Sequence, residues 1–244
     1  MTSKILFVFE GKKTEPQIHR SVAAHFFSGL SSSTVVATYN TDIYTLHQEI
    51  SSDPFLDIVE LVRPKNKEAL AGITRAEIAE VFLFFDHDAH SSEDIAKLNS
   101  AIGDMLATFD NETDRGKLYI SYPMVEAIKD CGGDFNLCGA HCVHAISANN
   151  SYKAQVSKRT PLMHLRRFTR ATWDGLTVNT LMKATCLLFE EYRRPTEQEL
   201  EMIDQKSVFT SQVSKQICNG NVAILSGFPF FLVDYFGADT FLSS

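Results

Sequence analysis

Two hydrophobic runs in this chain stop abruptly on acids. "ILFVF" ends at Glu10, which Gly11 follows, and "VFLFF" ends at Asp86, with Asp88 two residues on. Alternate residues of an extended chain point the same way, so Asp86 and Asp88 can face one ion together. In an open parallel sheet, ligands bind at the carboxyl ends of the strands, where all three acids are expected. Converging carboxylates repel one another, and a divalent cation between them relieves that cost. Oxygen-only ligands suit Mg²⁺ or Mn²⁺. A solvated strand–loop junction is the plainer account of such acids, because Asp is common there.

The elements that must position these acids alternate. Lys4–Phe9 reads as a buried strand and Glu15–Phe27 as a helix, with Ile18, Val22 and Phe26 at helical spacing and Thr14 as N-cap. Residues 33–39 are a second strand, Thr41 or Asp42 caps a helix ending near Ser51, and "DIVELV" (57–62) is predicted as a third strand. Glu77–Phe85 is the most hydrophobic strand. A helix from Ser91 or Ser92 runs to Phe109, and "KLYISYP" (117–123) is another strand. Strands alternating with helices imply an α/β fold, a parallel sheet flanked by helices. The second half reads as mainly helical, with Pro161, Pro195 and Pro229 as punctuation. The boundary falls in the Gly-, Asn- and Cys-rich stretch after residue 130, giving regions 1–130 and 131–244.

The paired motifs "ILFVFEGKKTE" and "VFLFFDHDAH" resemble the Toprim domain, and "FEGKKTEP" is most similar to the RloB-like and OLD-type Toprim nucleases of bacterial anti-phage defence loci. The resemblance covers about ten residues per motif, within the first ~130. It implies that Glu10 is the general acid or base beside a metal held by Asp86 and Asp88, with Glu10 itself and Glu15 as further ligands. A glutamate in the first turn of a helix, as Glu15 is, is also favoured by the helix dipole alone. The long separation of Glu10 from Asp86 departs from a minimal Toprim domain and implies an insertion that begins at "DIVELV".

"YISYPMVEAIKD" (119–130) brings a further acid. Pro123 is expected to start a helix, placing Glu126 one turn in and Asp130 on the same face. The RloB-like resemblance makes Glu126 a second-ion ligand or a positioner of water, and two ions would stabilise both the attacking and the leaving oxygen. A dipole-stabilised first-turn Glu is the alternative. Lys129 is a candidate for phosphate charge, and a surface lysine otherwise. His87 and His90 flank the D-x-D and are candidates to assist catalysis or contact phosphate, with loop histidines of no role as the alternative. Cys131, Cys138, His141, Cys142 and His144 are zinc-capable residue types at a spacing that matches no common knuckle.

Lys153, Lys158, Arg159, Arg166, Arg167 and Arg170 form a strip without acids in a chain of net charge −7. Lys158, Arg159, Arg166 and Arg167 are the candidates for binding an RNA or DNA backbone, and Tyr152, Phe168 and Trp173 for stacking on bases. A solvated helix face and a core, respectively, are the alternatives. The aromatic stretch 221–241 is a buried element or, with Phe230, Phe231 and Tyr235 exposed, a surface for a partner or a homo-oligomer.

The composition sets limits. The 244 residues, 44% hydrophobic, suffice for one large or two small globular domains. No apolar run reaches the roughly 18 residues of a membrane span. The N-terminus lacks a signal-peptide pattern, so a cytoplasmic protein is expected. Five cysteines argue against a secreted disulfide scaffold. No P-loop is present, so the ATPase that OLD-type proteins carry would come from a separate partner. The expected activity is Mg²⁺-dependent cleavage of RNA or DNA. The alternatives are a phosphatase or nucleotidyl transferase using the same acids, and a non-catalytic module partnering an ATPase.

Overall fold

A computed structural model of the protein describes residues 3–29, 33–53, 55–87, 94–130, 142–160, 162 and 164–242, with the backbone alone at residue 159. The expected α/β architecture is present. A five-stranded sheet has the order β2-β1-β3-β5-β4, formed by β1 (Lys4–Phe9), β2 (Ser33–Thr38), β3 (Ile78–Asp86), β4 (Asp110–Asn111) and β5 (Gly116–Ser121). β1 runs parallel to both neighbours, pairing Phe9 with Thr38 and with Phe84. β4 and β5 are antiparallel. By compactness the chain divides into two units, residues 1–85 with 96–119 and residues 86–95 with 120–244.

In the first unit, β1 is buried along Ile5–Phe9, so its sequence is a continuous apolar run without alternation. Phe7, Phe9, Phe82, Phe84 and Tyr119 stack across one face of β1, β3 and β5. Helix α1 (Thr14–Val22) turns its buried side, Glu15, Ile18, His19 and Val22, inward and continues into a wider π-type turn, Ala23–Phe27. Asp42 caps α2 (Ile43–Ser52), accepting the Thr45 N–H at 2.8 Å. A Cβ on Gly116, which has φ +116°, would lie 2.6 Å from Leu83 Cδ1. Both the backbone and the contact therefore require glycine there.

Residues 57–62 correct the expectation of a strand. They contain helix α3 (Ile58–Val62) and no strand. The Asp57 carboxylate accepts the N–H groups of Val59 and Glu60, and Ile58, Val59 and Val62 form its buried side. The N-cap competes successfully with the β-propensity of Ile and Val. Beyond it, Asn66 closes the open edge of β2. Its Oδ1 accepts the Thr38 N–H and its Nδ2 donates to the Thr38 carbonyl, both at 2.9 Å. A side-chain amide thus stands in for a neighbouring strand. Helix α4 (Ile95–Thr108) buries Leu98, Ile102, Met105 and Leu106.

The second unit is mainly helical, as expected, with α5 (Asn149–Arg159), α6 (Arg170–Phe189), α7 (Glu197–Met202), α8 (Gln205–Ser211), α9 (Gly227–Phe236) and α10 (Asp239–Leu242). α6 packs against α8, α9 and α10 and is buried on most of its circumference. It also holds a small antiparallel sheet of β6 (Val143–Ala145) and β7 (Asn221–Ala223), which the sequence pattern does not announce. Gln212 clamps that sheet, donating to the Ala223 carbonyl at 2.7 Å and accepting its N–H at 2.8 Å. Phe230 and Phe231 are buried core residues of α9, which removes them as an exposed oligomer surface. No helix among the described residues is long and apolar enough to cross a membrane.

Candidate functional site

In the first unit, Glu10 is the residue immediately beyond β1. Its N–H donates to the Phe84 carbonyl at 3.1 Å, and its carbonyl accepts the Asn40 N–H at 2.9 Å. The backbone carrying the carboxylate is therefore fixed on both sides, with Asn40 in the left-handed region, φ 66°. Asn tolerates this conformation better than most residues. The side chain of Glu10 is half-buried.

Glu15 has a role that spacing alone does not reveal. It is buried, and its Oε1 accepts the Gly11 N–H at 2.9 Å. Thr14, the expected cap, makes no capping bond, and the N-cap position is Lys13. Glu15 instead reaches back to the loop and satisfies a donor ahead of the helix. A Cβ on Gly11 would sit 3.0 Å from that same oxygen, so the glycine gives the carboxylate its room. Lys12 and Lys13, exposed beside Glu10, are cations that a reading centred on the acids overlooks, although they lie inside "EGKKTE".

In the second unit, Asp86 ends β3 and is half-buried. Asp88, His90, Cys131, Cys138 and His141 lie outside the described residues. His87 is fully buried, its N–H bonded to the Ser121 carbonyl at 3.0 Å and its ring 5.3 Å from that of Tyr122. Burial pulls its pKa down to about 4, so the imidazole is neutral at neutral pH. Burial also removes it as a phosphate contact. Tyr122 is joined to Pro123 by a cis peptide bond.

The segment after Pro123 is a 3₁₀ turn, Val125–Lys129, in place of the expected α-helix. It buries Glu126, Ala127 and Ile128, and Ala127 packs with Tyr152, Val156 and Ile224. Glu126 is paired with Lys153 at 2.9 Å. Lys129 is drawn below the usual lysine range by burial, with the nearby Lys153 charge adding to this and Glu126 opposing it. Asp130 is buried and accepts the Tyr152 hydroxyl at 2.8 Å. That bond marks Asp130 as a structural acid.

The basic strip divides by exposure. Lys158, Arg166 and Arg167 are exposed. Arg159 closes α5, and its side chain is outside the described residues. Lys153 is engaged by Glu126, and Arg170 by Asp174 at 2.8 Å. Tyr152, Phe168 and Trp173 are core residues at 0%, 5% and 0% exposure, which corrects their assignment as base-stacking groups. Of the zinc-capable residues, His144 is buried against the Tyr152 ring, with centroids 4.6 Å apart.

Among the described residues no three His, Cys, Asp or Glu side chains are grouped to hold an ion. Glu10 and Asp86 are oxygen-donor residue types of the kind that Mg²⁺ or Mn²⁺ takes, and Asp88, the third acid expected with them, lies outside the described residues. Compared with protein-family models, curated proteins and solved structures, the chain matches none.

Proposed function

We propose that this protein is a Mg²⁺- or Mn²⁺-dependent nuclease of the Toprim type that cleaves phosphodiester bonds of RNA or DNA and serves as an anti-phage defence effector. One observation carries the reading: β1 and β3 are hydrogen-bonded parallel neighbours, β3 ends on Asp86 and Glu10 directly follows β1. The resemblance of "FEGKKTEP" and "FFDHD" to the defence nucleases supplies the setting. Asp86 and Asp88 would hold the ion, with Glu10 beside it. A bound divalent cation supplies an activated water and neutralises charge on the phosphate.

Glu10 would take the proton from the attacking water or hand one to the leaving oxygen, and its main chain is held by two hydrogen bonds, to Phe84 and Asn40. Glu15 keeps the adjoining loop in shape. Glu126 is the further acid, poised by Lys153. Lys158, Arg166 and Arg167 provide exposed cations for the nucleic-acid backbone, which suits a chain whose overall charge is negative.

Incubation of the purified chain with RNA and DNA pools, in Mg²⁺ or in EDTA, tests the reading. Cleavage in Mg²⁺ that EDTA abolishes is expected. Release of phosphate from small phosphate esters with both polymers intact would move the assignment to a phosphatase. Inertness towards all substrates would leave a module that works through a partner ATPase.

A further inference from the structure

The second unit contains a pocket of about 440 Å³, with Val143, Leu187 and Ala223 as apolar walls. Its unusual feature is Lys183. This residue of α6 lines the pocket yet is only 5% exposed. Its Nζ donates to the Asp130 carbonyl at 3.3 Å, and among the described residues no carboxylate pairs with it. An ammonium has three donors, and burying one without a counter-charge is costly.

The pocket's other charges do not supply that counterpart. Glu190 lines it, but its largely exposed carboxylate lies 3.4 Å from Lys215, which lines it too. Glu190 is held there by its left-handed backbone, φ 67°, at the end of α6, with its N–H bonded to the Cys186 carbonyl. Two ammonium groups against one carboxylate leave the lining with a net positive charge.

We infer that this pocket binds a small organic anion, a carboxylate with a compact apolar body, whose charge Lys183 neutralises. The volume suits a small-molecule site. A single lysine acts as a point charge, whereas phosphate sites characteristically add an arginine fork or a nest of backbone N–H groups. The pocket's charged lining is lysine alone on the positive side, so a monoanionic carboxylate fits better than a phosphate. The apolar walls hold the body of the ligand.

Two cysteines in the lining, Cys142 and Cys186, make occupancy readable. Titration of the full chain with acetate, butyrate, hexanoate, butyramide and inorganic phosphate, followed by melting temperature, is the first arm. Butyrate or hexanoate should raise the melting temperature saturably, and neutral butyramide should not. Lys183→Met, which keeps the aliphatic stem, should weaken that binding at least about tenfold. In the second arm, the same carboxylate should slow alkylation of Cys142 and Cys186 by N-ethylmaleimide in the unaltered protein. Cys218, exposed and outside the pocket, should react at an unchanged rate. This arm decides the matter if the variant does not fold. The inference is overturned by an absence of saturable carboxylate binding, by equal binding of butyramide, by unchanged affinity in a folded Lys183→Met protein, or by phosphate binding more tightly than every carboxylate.

Discussion

Lys153 Nζ lies 2.9 Å from Glu126 Oε1, joining a largely exposed ammonium on α5 to a carboxylate whose side chain is 8% exposed. The pairing gives a buried carboxylate of the second unit a cationic partner. It also means that any divalent ion at Glu126 competes with a lysine. Lys153→Met should lower stability in EDTA by about 0.5–1 kcal/mol, the scale of a pair with one solvated partner. Mg²⁺ should then stabilise the variant more than the parent, because the carboxylate has exchanged one cation for another. Urea midpoints with and without Mg²⁺ measure this. Equal Mg²⁺ responses would remove Glu126 from the ion's reach.

Glu15 and Gly11 form a second testable pair. Glu15→Gln keeps an oxygen that can accept the Gly11 N–H and should leave folding and cleavage close to the parent's. Glu15→Ala removes the acceptor and should cost about 1–2 kcal/mol. Gly11→Ala should perturb the loop as well, since the new Cβ would press on Glu15 Oε1. Thermal melts and hydrogen exchange at the Gly11 amide report on each variant. Lost activity in a well-folded Glu15→Gln protein would show that the charge itself serves the chemistry.

His19 predicts a pH dependence. It lies buried against Phe7 and Phe9, and burial, reinforced by Arg20, lowers its pKa from 6.5 to about 4. The unfolded chain takes up this proton near pH 6.5, while the folded chain resists until about pH 4. The stabilising contribution is therefore complete above pH 6.5 and is lost as pH falls towards 4, at about 1.4 kcal/mol per pH unit for one proton. His19→Leu should flatten the stability profile between those limits, measured by urea unfolding at several pH values. An unchanged slope would mean that His19 already titrates in the folded protein.

Why β1 and β3 are legible in the sequence, and α3 is not, comes down to their environments. Strands buried on both faces read as unbroken apolar runs, and Ile5–Phe9 and Val81–Phe85 do so. "DIVELV" is too short for its period to separate strand from helix, and the deciding bond, from Asp57 to the backbone, is an N-cap signal that its alternation masks. β6 and β7 are three residues each and find one another across a long stretch of chain, so neither carries a readable pattern. The acids at the strand ends can be read because strand direction dictates them. The Lys153–Glu126 pair and the burial of Tyr152 and Trp173 cannot, since both depend on how α5 and α6 pack.

The basic strip also makes a separable prediction. Arg166 and Arg167 are exposed in the turn before α6, so their charge can be reversed at little structural cost. Arg166→Glu with Arg167→Glu should weaken RNA or DNA binding. It should lower the slope of log affinity against log salt by about one for each phosphate that the protein no longer neutralises. The melting temperature should hold. Unchanged affinity and slope in filter-binding titrations would place the nucleic-acid surface elsewhere.

Glu10→Gln separates chemistry from scaffolding. The amide keeps the size of the side chain and leaves both backbone bonds, to Phe84 and Asn40, in place, so the loop should not move. It cannot take up a proton as a carboxylate does. If Glu10 is the general acid or base, cleavage should fall by roughly a hundredfold or more. If the acids converge as proposed, stability in EDTA should stay level or rise, because removing one carboxylate relieves repulsion when no cation is present. Single-turnover cleavage in Mg²⁺ and melting in EDTA provide the two readings. Full activity in the Gln variant would place the chemistry elsewhere. A marked loss of stability in EDTA would mean that the carboxylate is a structural ligand of its own surroundings. Loss of phage protection in cells, with no cleavage by the parent protein in vitro, would identify Glu10 as part of a surface for a partner.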